Sequence, residues 1–173
     1  LLFLIMINDL PKCLDEVESS LFADESALFK SGRDLDSILK AMQKNLDKIA
    51  AWCDLWGFKI NIEKTAAVLF THRIDKIETP LSISGRPISV EKTAKFLGVI
   101  FDSKLTWNAH IACIVDKCRK RLNLMRMISG QTFGSSKKCL LTIYRALIRS
   151  IVLDYGCIAF DSMSETNKRK LDA

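Results

Sequence analysis

Two adjacent carboxylates, Asp24 and Glu25, stand between short apolar runs in Leu21-Phe22-Ala23-Asp24-Glu25-Ser26-Ala27-Leu28-Phe29. That is the pattern of a β-hairpin that lifts acidic side chains to its tip. Paired carboxylates at one point offer hard oxygen donors to a divalent cation such as Mg2+ or Mn2+. A solvated acidic turn has the same local pattern, so the chemistry depends on the residues downstream of the hairpin.

Basic residues form the second candidate group. Lys117, Arg119, Lys120, Arg121 and Arg126 fall mainly on the polar side of a helical period whose apolar face is 107, 111, 114, 115, 118, 122 and 125. Arg145 and Arg149 are four residues apart, share a helix face, and are spaced to follow a phosphate backbone. The two histidines, His72 and His110, stand alone and receive no role. Six scattered cysteines, with no Cys-x-x-Cys, read as buried thiols in a reducing compartment rather than as disulfides or zinc ligands.

The chain has 173 residues, 49% hydrophobic and 27% charged, which is the composition of a folded protein. Its net charge of +6 is unevenly spread. Residues 1–30 carry two lysines against six acids, whereas residues 104–173 carry thirteen basic residues against five acidic. An acidic head suits cations, and a basic tail suits a polyanion such as nucleic acid. Solvated helix faces also carry lysines, so charge alone does not choose between these readings. The opening apolar run lacks a preceding basic segment and is too short for a membrane span, so neither a secretory signal nor a membrane partner is expected.

The elements that must position these residues are set by periodicity. Residues 1–10 read as the end of a buried helix stopped before Pro11, so the chain is expected to be a fragment that begins inside a helix. Strands are expected at 19–23 and 26–30. Asp34 then caps a helix with apolar positions 35, 38, 39, 42, 46, 49, 50, 53 and 56, closed by Gly57. Phe58, Ile60 and Ile62 alternate with polar residues, and 66–70 is a second apolar run, which predicts a strand pair. A small hairpin turning at Gly85 and one strand over 94–101 come next. Beyond Asp102 the chain reads as wholly helical: a helix capped by Thr106 and ending at Gly130, a second over about 136–155 closed by Gly156, and a third beginning at Ser164 and cut off by the chain end. The fold class is α+β, with a boundary near Lys104 dividing 1–103 from 104–173.

Four segments, in this order, resemble the reverse transcriptases of non-LTR, LINE-like retrotransposons. Phe22-Ala23-Asp24-Glu25 occupies the aromatic-Ala-Asp-Asp hairpin of the family's palm. Residues 1–10 resemble the helix that follows a Gly-rich loop near the incoming nucleotide. The helix from Asp34, leading into Gly57-Phe58-Lys59-Ile60-Asn61-Ile62-Glu63-Lys64-Thr65, resembles the next palm motif. Lys95-Phe96-Leu97-Gly98-Val99-Ile100-Phe101-Asp102, with Leu105-Thr106-Trp107, resembles the strand that holds the primer end. The remainder resembles the basic, helical thumb.

The resemblance implies RNA-directed DNA synthesis by two-metal nucleotidyl transfer on deoxynucleoside triphosphates, along an RNA template and DNA primer, in the nucleus. It makes Asp24 and Glu25 metal ligands and catalytic residues, puts Lys64 near the triphosphate, and makes Phe96, Leu97 and Gly98 the primer grip. The seven basic residues of the helices would hold duplex. Glu25 departs from the family's aspartate by one methylene, and is either a decayed residue or a tolerated variant. The family's third aspartate and its fingers are expected to lie ahead of this chain, so the chain alone is expected to be inactive. A catalytically dead nucleic-acid-binding remnant and a helical interaction module without nucleic acid are the alternatives.

Overall fold

The computed structural model describes residues 2–73, 77, 80–130 and 134–172, the last by its backbone only. They form two compact units, Leu1–Leu97 and Gly98–Ala173. The division falls ahead of Lys104, because Val99 and Phe101 pack into the core of the helical unit.

In the first unit, α1 (Leu2–Ile7) forms where a helix end is expected, with Leu1 outside the described residues. Its expected burial is corrected: no residue of α1 is buried, and Leu2, Leu4 and Ile5 are 78%, 52% and 64% exposed. A sequence apolar all round specifies no face, and within this unit Ile7 alone of that helix joins a core cluster. A 3-10 turn, Leu10–Cys13, holds Pro11.

Strands β1 (Glu18–Phe22) and β2 (Glu25–Phe29) make the expected antiparallel hairpin, with Phe22 opposite Glu25. The long helix α2 (Leu35–Trp56) starts where the Asp34 carboxylate accepts the Ser37 N–H and ends at Gly57 with φ +72°. Only glycine adopts that φ at no steric cost. One face of α2 serves two clusters: Leu46 and Ala50 pack with Leu81, Ile83 and Ile88, while Trp52 and Cys53 pack with Leu10. Phe58 stacks on Trp52 with ring centroids 5.5 Å apart.

The expected strand pair after Gly57 does not form. Asn61 caps a 3-10 turn, Ile62–Lys64, and the second run contributes only β3 (Ala66–Ala67). Period two in the sequence cannot distinguish a strand from an extended segment whose Ile60 and Ile62 merely reach the core. Strands β4 (Ser82–Ile83) and β5 (Arg86–Pro87) form the expected hairpin, with positive φ at Ser84 and Gly85. Strand β6 (Ser89–Val90) pairs in parallel with β3. The strand expected over 94–101 is two strands, β7 (Thr93–Phe96) and β8 (Val99–Asp102). Leu97 at φ +48° and Gly98 at φ +84° interrupt it, since neither conformation belongs in a strand.

The second unit continues with α3 (Asn108–Ile128), α4 (Lys137–Tyr144), α5 (Ser150–Gly156) and α6 (Glu165–Asp172). Its core gathers Val99, Trp107, Ile111, Ile114, Ile151, Ala159 and Met163. The helix expected over 136–155 is present, but with a widened π turn at Arg145–Arg149 between α4 and α5. Gly156 does not close it; the chain continues into a 3-10 turn, Cys157–Ala159. Among the described residues no helix is long and apolar enough to cross a membrane.

Candidate functional site

The hairpin tip is a two-residue turn, Ala23-Asp24, with Ala23 at φ +51°. Positive φ at the first turn residue matches the twist of two-residue hairpins, although alanine pays a steric penalty there. Asp24 is exposed on the turn and has no hydrogen bond or ion pair among the described residues. Glu25 is not at the turn but is the first residue of β2. Strand alternation directs Leu21 and Leu28 to the core clusters and leaves Phe22, Glu25 and Phe29 on the opposite, exposed face.

From that face the Glu25 carboxylate accepts the backbone N–H of Leu97, Oε2 to N 3.0 Å. Two candidate segments 72 residues apart in sequence are thereby joined. Phe96 ends β7 half-buried, and the Leu97 side chain is 40% exposed. Gly98 opens the second unit, where its backbone lies against the Tyr155 ring; a Cβ there would stand 2.6 Å from the ring edge. Lys117 covers the same ring, 5.5 Å from its centroid. A cation over an aromatic face gains electrostatically.

Lys64 ends the 3-10 turn. Its N–H donates to the Asn61 side chain, 3.2 Å, and Thr65 Oγ1 donates to the Asn61 carbonyl, 2.8 Å. The Lys64 side chain is exposed and no contact joins it to Asp24 or Glu25. Among the described residues no group of three or more His, Cys, Asp or Glu side chains is placed to hold a metal ion. Asp24 and Glu25 have the right donor chemistry for a hard cation, but two carboxylates, one of them already accepting a hydrogen bond, do not fit a complete octahedral site.

The basic residues divide into two groups. Lys120 pairs with Asp116 at 2.7 Å, the Arg121 guanidinium donates to the Leu147 carbonyl, and Arg126 donates to Asn123 at 3.1 Å. With Lys117 on Tyr155, four of the seven are engaged within the fold. Arg119, Arg145 and Arg149 are exposed and have no partner among the described residues.

Supporting residues that periodicity passed over hold these elements in place. Buried Asn45 on α2 accepts the Asp15 N–H (2.9 Å) and donates to the carbonyls of Asp15 and Ala41 (both 2.8 Å), fixing the entry to β1. Gln43 binds the Ser82 N–H and carbonyl in the same manner, both 2.9 Å. In the second unit Asp102 receives the N–H groups of Lys104, Thr106 and Trp107 and the Thr106 hydroxyl. Burial pushes its carboxyl up, but these donors outweigh that and hold it below the usual range. His110, 1% exposed, accepts from Ile100 N–H at Nδ1 (3.3 Å) and so donates from Nε2 to the Tyr155 carbonyl (2.8 Å), a packing histidine. An Asn beside a leucine stripe is the only sequence signal for Asn45, and it has no distinguishing spacing.

The chain has relatives among RNA-directed DNA polymerases. It is 24% identical over 151 residues to a "Probable RNA-directed DNA polymerase from transposon BS" of Drosophila melanogaster, covering 87% of this chain and 17% of the relative. It is 26% identical over 157 residues to the "RNA-directed DNA polymerase from mobile element jockey" of the same species, covering 91% and 17%. With the jockey polymerase of Drosophila funebris it shares 29% over 133 residues, 77% of this chain and 14% of the relative. The chain is a relative of the reverse transcriptases of non-LTR retrotransposons, as its motifs led us to expect. It spans about one sixth of the length of the curated relatives it matches. No family model and no solved structure matches it.

Proposed function

We propose that the chain is the part of a non-LTR retrotransposon reverse transcriptase that carries the metal-binding hairpin of the palm and the start of the thumb. The observation that supports this best is the contact of the hairpin tip with the Leu97 turn, because the family's reaction needs a metal-bearing hairpin beside the segment that holds the primer end. Asp24 is a donor to a divalent cation, Mg2+ or Mn2+, whose remaining donors lie outside the described residues. Lys64 lies near the triphosphate, and the Phe96-Leu97-Gly98 segment steadies the primer. The exposed arginines hold an RNA template and DNA primer duplex through phosphates. The polymerase works where its RNA and chromosomal target meet, in the nucleus.

The test is primer extension with Mg2+ or Mn2+ by a polymerase carrying this segment. Asp24→Asn keeps the turn's size and removes its charge, so extension is expected to fall by at least 100-fold, in line with losing a main electrostatic contact at the reacting centre. Extension unchanged by Asp24→Asn would remove the hairpin from the mechanism.

A further inference from the structure

We propose that Glu25 is a positioning residue: it ties the Leu97 turn to the hairpin tip through its carboxylate and leaves the metal-ligand role to Asp24. The inference deepens the polymerase reading and rests on it for the primer, but the tether itself stands on geometry.

Three observations converge. First, the register with Phe22 opposite Glu25 makes Asp24 a turn residue and Glu25 a strand residue, so the two side chains leave the backbone from different local geometries. Second, Glu25 Oε2 lies 3.0 Å from the Leu97 nitrogen. An aspartate at the same backbone position would end about 1.5 Å shorter, one C–C bond, and would leave hydrogen-bond range. The extra methylene is what makes the contact. Third, Leu97 and Gly98 both have positive φ, so Leu97 N–H belongs to a turn and has no acceptor among the described residues except Glu25. Both partners are exposed, and water replaces the bond when it is lost. Its removal therefore frees the turn without unfolding the unit. Glutamate in place of the family's aspartate is on this account a functional exchange, not decay.

The experiment uses the chain itself and its variants Glu25→Gln, Glu25→Asp, Glu25→Ala and Asp24→Asn. The first readout is the exchange protection of the Leu97 amide by NMR. It is expected to fall about tenfold in Glu25→Ala and Glu25→Asp and to be largely kept in Glu25→Gln, which retains an acceptor oxygen at the same reach. The second is Mn2+-induced broadening at residues 23–25, expected to persist in Glu25→Gln and to vanish in Asp24→Asn. The third is preference for a recessed 3′ end over a blunt duplex, expected to fall several-fold in Glu25→Ala and Glu25→Asp and to be rescued in Glu25→Gln. A tether that is only structural would leave that ratio unmoved. Equal Leu97 protection in the parent chain and Glu25→Ala overturns the tether. Loss of Mn2+ broadening in Glu25→Gln as complete as in Asp24→Asn overturns the division of roles. Absence of duplex binding in every variant sinks the polymerase reading and still leaves the Leu97 result to decide the tether.

Discussion

Asp102 is the residue on which the start of the helical unit depends. Its carboxylate takes four donors from the loop that leads to α3, and Trp107, at φ +64°, is the residue from which the helix departs. Thr106 is not the cap expected of it: Trp107 is the residue that precedes α3, and the Thr106 hydroxyl donates to Asp102 and lies 3.5 Å from the Asn108 nitrogen. Because the folded state holds the Asp102 pKa below its ordinary value of 3.8, ionised Asp102 favours folding. That contribution is fully present at neutral pH and is lost as pH falls below about 4, through the lowered folded value. Protection factors of the Thr106 and Trp107 amides are expected to drop across that acid range in the parent chain and to stay level in Asp102→Asn, which has no charge to lose. A level profile in the parent would show that the donors do not depend on the charge.

At the scale of elements, the bounds of α2 were legible and those of the segments that follow it were legible only in part. Its period of 3.6, its Asp34 cap and its terminal Gly57 are each local signals, and all three appear in the structure. The strand pair expected after it failed because Asn61 caps a turn there. The strand over 94–101 failed because two consecutive residues adopt positive φ, and only Gly98 advertises that. The candidate hairpin was legible for the same reason as α2, as a local pattern; its contact with Leu97 was not, since no local rule links residues 72 apart. Nor was Asn45, whose importance lies in a tertiary clamp on Asp15. Replacing it with leucine removes both part-buried hydrogen bonds to the Asp15 backbone, on the segment that leads into β1, and puts a larger apolar side chain in their place. A loss of about 1–3 kcal/mol is expected from two hydrogen bonds at roughly 0.5–1.5 kcal/mol each. The measurement is the urea midpoint at unchanged slope, with amide exchange accelerating first in β1.

For the molecule as a whole the decisive quantity is where charge is left uncommitted. The first unit carries thirteen basic and fourteen acidic residues, and the second thirteen basic against six acidic. The excess positive charge thus belongs to the helical unit, but not all of it is equally free. Lys117, Lys120 and Arg121 already serve Tyr155, Asp116 and the Leu147 carbonyl, whereas Arg119, Arg145 and Arg149 serve nothing among the described residues. Arg145 and Arg149 bracket the π turn, a widened turn of the kind found often at functional sites. On the proposed reading, these three meet the duplex. Each phosphate contact steepens the dependence of log affinity on log salt by about 0.9 for B-form DNA, so changing all three to glutamine should flatten the slope by roughly 2 to 3. The matched change of Lys117, Lys120 and Arg121 should flatten it much less and lower the stability of the helical unit instead, because it removes the Lys117 and Arg121 contacts that tie α3 to Tyr155 and to the Leu147 carbonyl. Equal flattening by both triple variants would mean that net charge, not the uncommitted arginines, carries the binding.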